Sequence, residues 1–317
     1  GEVSQQLLST TLNRCVEDKL WDGIEFLISS GYVTSLSLCA GLFPLVMEEG
    51  RLDLMRALMA SLQDVPPAAL ATALKACLPP TNKASKAAAR SAAAPLRAAA
   101  SAAVASAEAV LLHVGRADAQ TNGNGNKKGK QEGKQEELKM SKQQTKKQRQ
   151  KRMEAAAAAV LTVQGFSSNE LCLHAVLAAH ADSIAALRAV QSLGSEAVLA
   201  LLNYLLKWFD LYAERLPPGA PALVLALEGG FRIPGAERVV EFAGHCLDAH
   251  FARLAMLPSS QKVLATFQQA VRLSLKQCTK LVTLAGPVEH IRKERSLPES
   301  HAAHCSQYSI EMLQLSC

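Results

Sequence analysis

His245, Cys246 and His250 fall within six residues of one another, and Cys246 and His250 are four apart. On a helix that spacing puts a thiol and an imidazole on one face, which is half of a zinc site. Nothing nearby in sequence completes a ligand set. The plainer reading is a core cysteine beside a partly exposed histidine. His301, His304 and Cys305 form a second cluster, with Cys317 twelve residues on. It too lacks a regular four-ligand spacing, so the sequence implies no metal and no cofactor.

Other chemistry is missing in the same way. Gly123, Gly125 and Gly129 are spaced as GxGxxxG, but in a lysine-rich tract without the preceding strand that a phosphate-binding turn requires. There is no GxxxxGK[ST], GxSxG, HExxH or calcium-binding loop pattern. No pair of carboxylates stands out as general acid and base. The expectation is a protein without catalytic residues and without a small-molecule substrate.

The cations do have a pattern. Between residues 79 and 154 there are 16 Lys+Arg and 6 Asp+Glu, leaving 18 basic and 22 acidic residues for the rest of the 317-residue chain. The formal net charge of +6 therefore belongs to one segment, and a uniformly basic nucleic-acid-binding globule is excluded. Lys127, Lys128, Lys130, Lys146, Lys147, Arg149, Lys151 and Arg152 are the candidates for RNA contact or nuclear targeting. Three readings stay open for them: a solvated linker, a bipartite targeting signal, and sequence-independent contact with RNA phosphate. Aromatic residues that would stack bases are missing from this tract, which argues against sequence-specific RNA reading.

The elements around these residues read as helices throughout. In residues 1–78, Leu7, Leu8, Leu12 and Val16 recur at helical spacing, and Trp21, Ile24, Phe26 and Leu27 follow. Gly31 offers a stop. A third helix carries Leu38, Leu42, Leu45 and Val46, with Pro44 as a kink or early break. After Gly50 come Leu52, Leu54, Met55 and Leu58, and Asp64 ahead of Pro66 and Pro67 opens a helix over 68–78. Short helices joined by turns of a few residues pack as antiparallel hairpins.

Residues 79–154 break this pattern with Pro79-Pro80, Ala/Ser repeats and a Lys/Gln-rich stretch. They have too little apolar surface to offset the entropy of ordering, so a disordered basic insert is expected, with isolated helix over 98–112 and 135–152. From residue 155 helices resume. The strongest covers 195–214, where Val198, Leu201, Leu205, Trp208 and Tyr212 form one stripe and Leu199, Leu202, Leu206 and Phe209 widen it. Glu196, Asn203, Lys207, Asp210 and Glu214 line the other side. So wide an apolar arc places this helix centrally. Further helices are read over 222–227, over 237–257 with Val240, Ala243, Leu247, Phe251 and Leu254 inward, and over 259–284 with Leu264, Phe267, Val271, Leu275, Cys278 and Val282 in line. A last one covers 307–315. No segment alternates as a strand would.

The fold class is thus all-α: antiparallel helix hairpins in a short α-solenoid-like bundle, divided into 1–78, an insert over 79–154, and 155–317. No apolar run is long enough to span a membrane. Eight cysteines without a CxxC pair read as reduced thiols of an intracellular protein. The chain opens GEVSQQLLST, without an initiator Met or signal peptide, which reads as a piece of a longer protein. Trp21, Trp208, Phe209, Phe251 and Phe267 are expected in the core, with some fraction lining a partner groove.

Four stretches resemble the C-terminal helical region of the nucleolar protein 11 family: DVPPAALATALKACL (64–78), LCLHAVLAAH with LLNYLLKWFDLY (171–212), LDAHFARLAMLPSSQKVL (247–264) and QYSIEMLQL (307–315). They occur in matching order, and together with the helices that flank them the likeness covers most of both helical blocks, about two-thirds of the chain. His250 stands where that family is expected to carry Asn. The resemblance implies a structural subunit of the small-subunit processome, in nucleus and nucleolus, following a β-propeller in the full protein. The implied partners are other early-binding (UTP-A, or t-UTP) subunits, propeller proteins among them, and the 5′ external transcribed spacer of pre-ribosomal RNA. The resemblance carries no catalytic residues over. Tyr308, Ile310, Leu313 and Leu315 are the candidate docking residues. A cytoplasmic scaffold of the vesicle-coat or armadillo kind is the alternative.

Overall fold

A computed structural model describes residues 5–78, 132–217, 219–226 and 231–293, with 98, 101, 102, 104, 105 and 109; within the helix 132–164, side chains are described at 147, 148 and from 150 onward. Every regular element among them is a helix: α1 (Gln5–Glu17), α2 (Trp21–Ser29), a 3-10 turn (Leu36–Leu38), α3 (Leu42–Glu48), α4 (Leu52–Ser61), α5 (Pro67–Cys77), α6 (Glu132–Gln164), α7 (Ser168–Leu177), α8 (Ser183–Gln191), α9 (Ser195–Glu214), α10 (Ala220–Leu225), α11 (Ala236–Met256) and α12 (Pro258–Arg292). None of the described helices is long and apolar enough to cross a membrane. The chain divides into two compact units, Gly1–Ala265 and Thr266–Cys317.

In the first unit the hairpins are made by left-handed turns. Gly31 (φ +73°) and Gly50 (φ +65°) follow α2 and α3, where the backbone N–H of Tyr32 donates to Leu27 O and that of Arg51 to Val46 O. Lys19 (φ 50°) does the same work between α1 and α2, with Leu20 N–H donating to Cys15 O. This is the Schellman arrangement, which satisfies the last carbonyls of a helix and reverses the chain. Pro44 neither kinks nor breaks a helix, the two roles the sequence suggested. It falls in the first turn of α3, where the lost N–H had no partner to lose. Asp64 is not the cap of α5 either: Pro66 holds that position and Pro67 the first helical one, with no side-chain cap.

Residues 1–78 and 155–265 share one core. α5 packs against both α7 and α8, and α4 against α7. The Val65 N–H donates to His180 O at 3.1 Å, joining the two stretches through the backbone. Leu70, Leu74 and Cys77 of α5 are fully buried, as are Cys172, Leu173 and Val176 of α7.

α9 is central as expected, with Val198, Leu201, Leu202, Tyr204, Leu205 and Trp208 at 0% exposure and Asn203 and Lys207 outside. α11 packs on both α9 and α8. It runs antiparallel to α9, since Tyr212 near the end of one donates to Pro234 O just before the other. It runs parallel to α8, since His245 meets Ser183 and His250 meets Val190. α6 is helical through residues 132–164, so the helix expected over 135–152 continues unbroken into the alanine block. Lys147 to Glu154 carry exposed side chains wherever described, and burial begins at Ala155. Ala155, Ala156, Ala158 and Ala159 then let α10 approach closely.

In the second unit, α12 continues to Arg292, past the expected end at residue 284. Phe267 is buried, but Leu275, Cys278 and Val282 are exposed, contrary to the inward stripe read from the sequence.

Candidate functional site

A cluster of polar and aromatic side chains in the first unit is built around the buried His174. α7 begins with a capping box: Ser167 Oγ accepts from Glu170 N–H, and the Glu170 carboxylate accepts from Ser167 N–H at 2.7 Å. One turn further, His174 enters the core at 1% exposure. Its Nε2–H donates to Thr162 O at 2.9 Å, a carbonyl that can only accept, so Nδ1 is the acceptor for the Tyr204 hydroxyl, also at 2.9 Å. Phe166, Trp208 and Tyr204 surround the ring, with Phe166 edge-on at 4.6 Å and Trp208 at 4.9 Å between centroids. Lys207 roofs the cluster: its Nζ is 2.8 Å from Glu170 Oε1 and 5.5 Å above the Phe166 ring.

The electrostatics follow from burial. Removal from water lowers the His174 pKa from 6.5 to about 4, so the ring is neutral at physiological pH. Burial pushes the Tyr204 phenol well up and that of Tyr212 up to about 12. Burial also pushes Glu170 up, but the Lys207 ammonium and the Ser167 N–H outweigh it and hold the carboxyl below its usual range.

Two buried thiols, Cys77 and Cys246, behave alike. Cys77 is raised well above the ordinary thiol value, first by its hydrogen bond with Cys172 and then by burial, and burial takes Cys246 up to about 12. A working nucleophile or acid needs the opposite shifts: a thiol brought down, an imidazole near neutrality. These groups are fixed in their uncharged forms.

The sequence-derived candidates divide sharply. His250 is buried at 3% exposure, not partly exposed as expected; its Nε2–H donates to Val190 O at 2.9 Å, while its Nδ1 has no partner. Cys246 lies on the same buried face. Among the described residues no group of three or more His, Cys, Asp or Glu could hold a metal ion. His301, His304, Cys305 and Cys317 lie outside the described residues, as do Lys127, Lys128, Lys130, Tyr308, Ile310, Leu313 and Leu315. Lys146 and Arg149 fall on α6 without described side chains; Lys147, Lys151 and Arg152 are exposed on the same helix.

One feature that escaped the sequence reading is His174, although a lone imidazole inside the apolar run LCLHAVL was a visible signal. Of the aromatic residues expected in the core or in a partner groove, Phe251 is 63% exposed, and Phe26, read as part of an apolar stripe, is 65% exposed.

Helical hairpins sharing one core, with His174, Tyr204 and Glu170 held by internal hydrogen bonds, define an all-α hairpin protein. The family model of the nucleolar protein 11 C-terminal domain matches residues 14–316, and the chain belongs to that family. Among curated relatives, it is 27% identical over 118 residues to a nucleolar protein 11-like protein of Danio rerio, covering 37% of this chain and 15% of that protein. It is 28% identical over 126 residues to nucleolar protein 11 of Xenopus laevis, covering 40% and 16%. The matched part is thus about a sixth of each relative's length, and the family is a nucleolar one by name.

Proposed function

We propose that this chain is a non-catalytic structural subunit in nucleolar ribosome biogenesis, acting within the small-subunit processome in support of pre-ribosomal RNA transcription and 18S maturation. The observation that carries the reading is the family match over residues 14–316. The pKa directions support it, because burial drives His174, Tyr204 and Cys246 away from catalytic use, and the Cys172 hydrogen bond with burial does the same to Cys77. The hairpins supply a fixed surface for other early-binding (UTP-A) subunits, including propeller proteins. α6 supplies cations that keep the subunit near the 5′ external transcribed spacer, since Lys147, Lys151 and Arg152 are exposed on it.

Affinity purification of the tagged chain from nucleolar extract, followed by mass spectrometry, tests the assignment. Early processome subunits should be enriched over mock purification; enrichment of vesicle-coat proteins instead, with nucleolar exclusion by fluorescence, overturns it. For the RNA contact, the triple variant Lys147→Glu, Lys151→Glu and Arg152→Glu should weaken binding to spacer RNA and flatten its salt dependence, with unchanged thermal unfolding. An unaltered salt slope counts against the contact.

A further inference from the structure

Within the second unit, α12 keeps large apolar side chains in water. Leu281, Leu284, Val288 and Ile291 recur at i, i+3, i+7 and i+10, a continuous seam, and are 55% to 68% exposed; Leu273 and Leu275 are exposed as well. The same stretch of helix also contains Gly286 and then Pro287. Glycine costs backbone entropy there and proline removes a hydrogen bond, so this stretch is a poor helix by itself. A helix with such a seam gains its stability from what covers it.

Charge narrows the choice of cover. Arg272, Lys276 and Lys280 follow one another at i, i+4 and i+8, and residues 266–293 hold five basic residues against one acidic, Glu289. A second copy of the helix would bring like charges together. RNA phosphate would suit the basic line but would leave the leucines wet. The chain itself supplies a better match. Residues 294–317 carry Glu294, Glu299 and Glu311 against Arg295 alone, and include Tyr308, Ile310, Leu313 and Leu315. Thirteen residues, 294–306, separate α12 and its final turn from 307. Extended, they reach about 43 Å, whereas the stretch from Leu273 to Ile291 is about 27 Å of helix, so every point on the seam is within reach.

We propose that residues 308–315 dock on the Leu281, Leu284, Val288 and Ile291 seam of α12, with apolar side chains in the seam and the acidic residues toward the basic line. Tethering keeps the local concentration high enough for a short segment to hold. The proposal is independent of the nucleolar assignment.

Amide hydrogen exchange over residues 277–291 tests it in the full chain. Deletion of residues 307–317 should speed exchange there at least tenfold, Ile310→Asp with Leu313→Asp should do likewise, and added peptide 307–317 should restore the slow rate to the deleted chain. Amides of α9 serve as the folding control and should not change. Equal exchange with and without residues 307–317 overturns the proposal. So does protection that vanishes on dilution alongside a dimer in sedimentation, or protection that arises only with added RNA homopolymer or anionic vesicles.

Discussion

The Tyr204 hydroxyl donates to His174 Nδ1 at 2.9 Å, and through the far side of the same ring α7 reaches the Thr162 carbonyl of α6. One neutral imidazole thereby joins three helices, and neutrality is the condition: a proton on Nδ1 would face a hydroxyl already donating to it, in a fully buried site. Between the ordinary value of 6.5 and the folded value of about 4, the unfolded chain takes up a proton that the native chain refuses. Stability from this group is complete above pH 6.5 and falls as pH drops toward 4. By pH 5 the loss is roughly 2 kcal/mol. Urea titrations at pH 7 and 5 should show it in the wild type and lose most of it in His174→Phe. A variant that keeps the full pH difference would place the effect elsewhere.

Glu170 governs the acid side of the same cluster. Its carboxyl is held below the ordinary range despite burial, because Lys207 and the Ser167 N–H favour the charged form. That contribution is present above the ordinary carboxyl value and is lost as pH falls through the lower folded one. Glu170→Ala removes both the capping box and the Lys207 partner, and should cost about 1–2 kcal/mol at pH 7. Equal stability of wild type and variant in guanidinium melts would mean that neither interaction matters.

How far the fold was legible depended on what surrounded each helix. α9 was readable because Asn203, Lys207 and Asp210 mark one face and apolar residues fill the rest. On α11 the sequence favoured Val240, Ala243, Leu247, Phe251 and Leu254, of which Ala243 and Leu254 are buried. The packed stripe is Val239, Phe242, Ala243, Cys246, His250 and Leu254, with Val240 and Phe251 exposed. The deciding residue was His250, discounted as polar, which becomes a core residue once Val190 O accepts its proton. Periodicity identifies a face and not its partner. For that reason the packing of α5 between α7 and α8, across some fifty undescribed residues, was beyond it, and so was the open seam of α12.

Two glycines should respond to alanine with opposite sign. At Gly50 an added Cβ meets nothing within 4 Å, but the backbone sits at φ +65°, so Gly50→Ala should lose about 1 kcal/mol from conformation alone. Gly244 lies inside α11 with ordinary helical φ and equally open space. Gly244→Ala should gain up to about 1 kcal/mol through helix propensity. Melting temperatures moving in the same direction would contradict the assigned turn geometry.

Cys77 and Cys172 are 95 residues apart in sequence, yet their thiols are in hydrogen-bond contact between α5 and α7, and both are fully buried. If that contact reports a shared core, a backbone cut between residues 79 and 131 should not separate the two stretches. Limited proteolysis within the insert should give two fragments that co-elute in gel filtration and part only in denaturant. Leu74→Ala, at a site with 0% exposure on the same helix, should cost about 2–5 kcal/mol and lower the denaturant concentration at which the nicked fragments separate. Unfolding of the intact chain, followed by Trp208 fluorescence in one stretch and Trp21 in the other through single-tryptophan variants, should give one midpoint. Two midpoints, or fragments that drift apart in buffer, would show that residues 1–78 and 155–265 are neighbours without a common core.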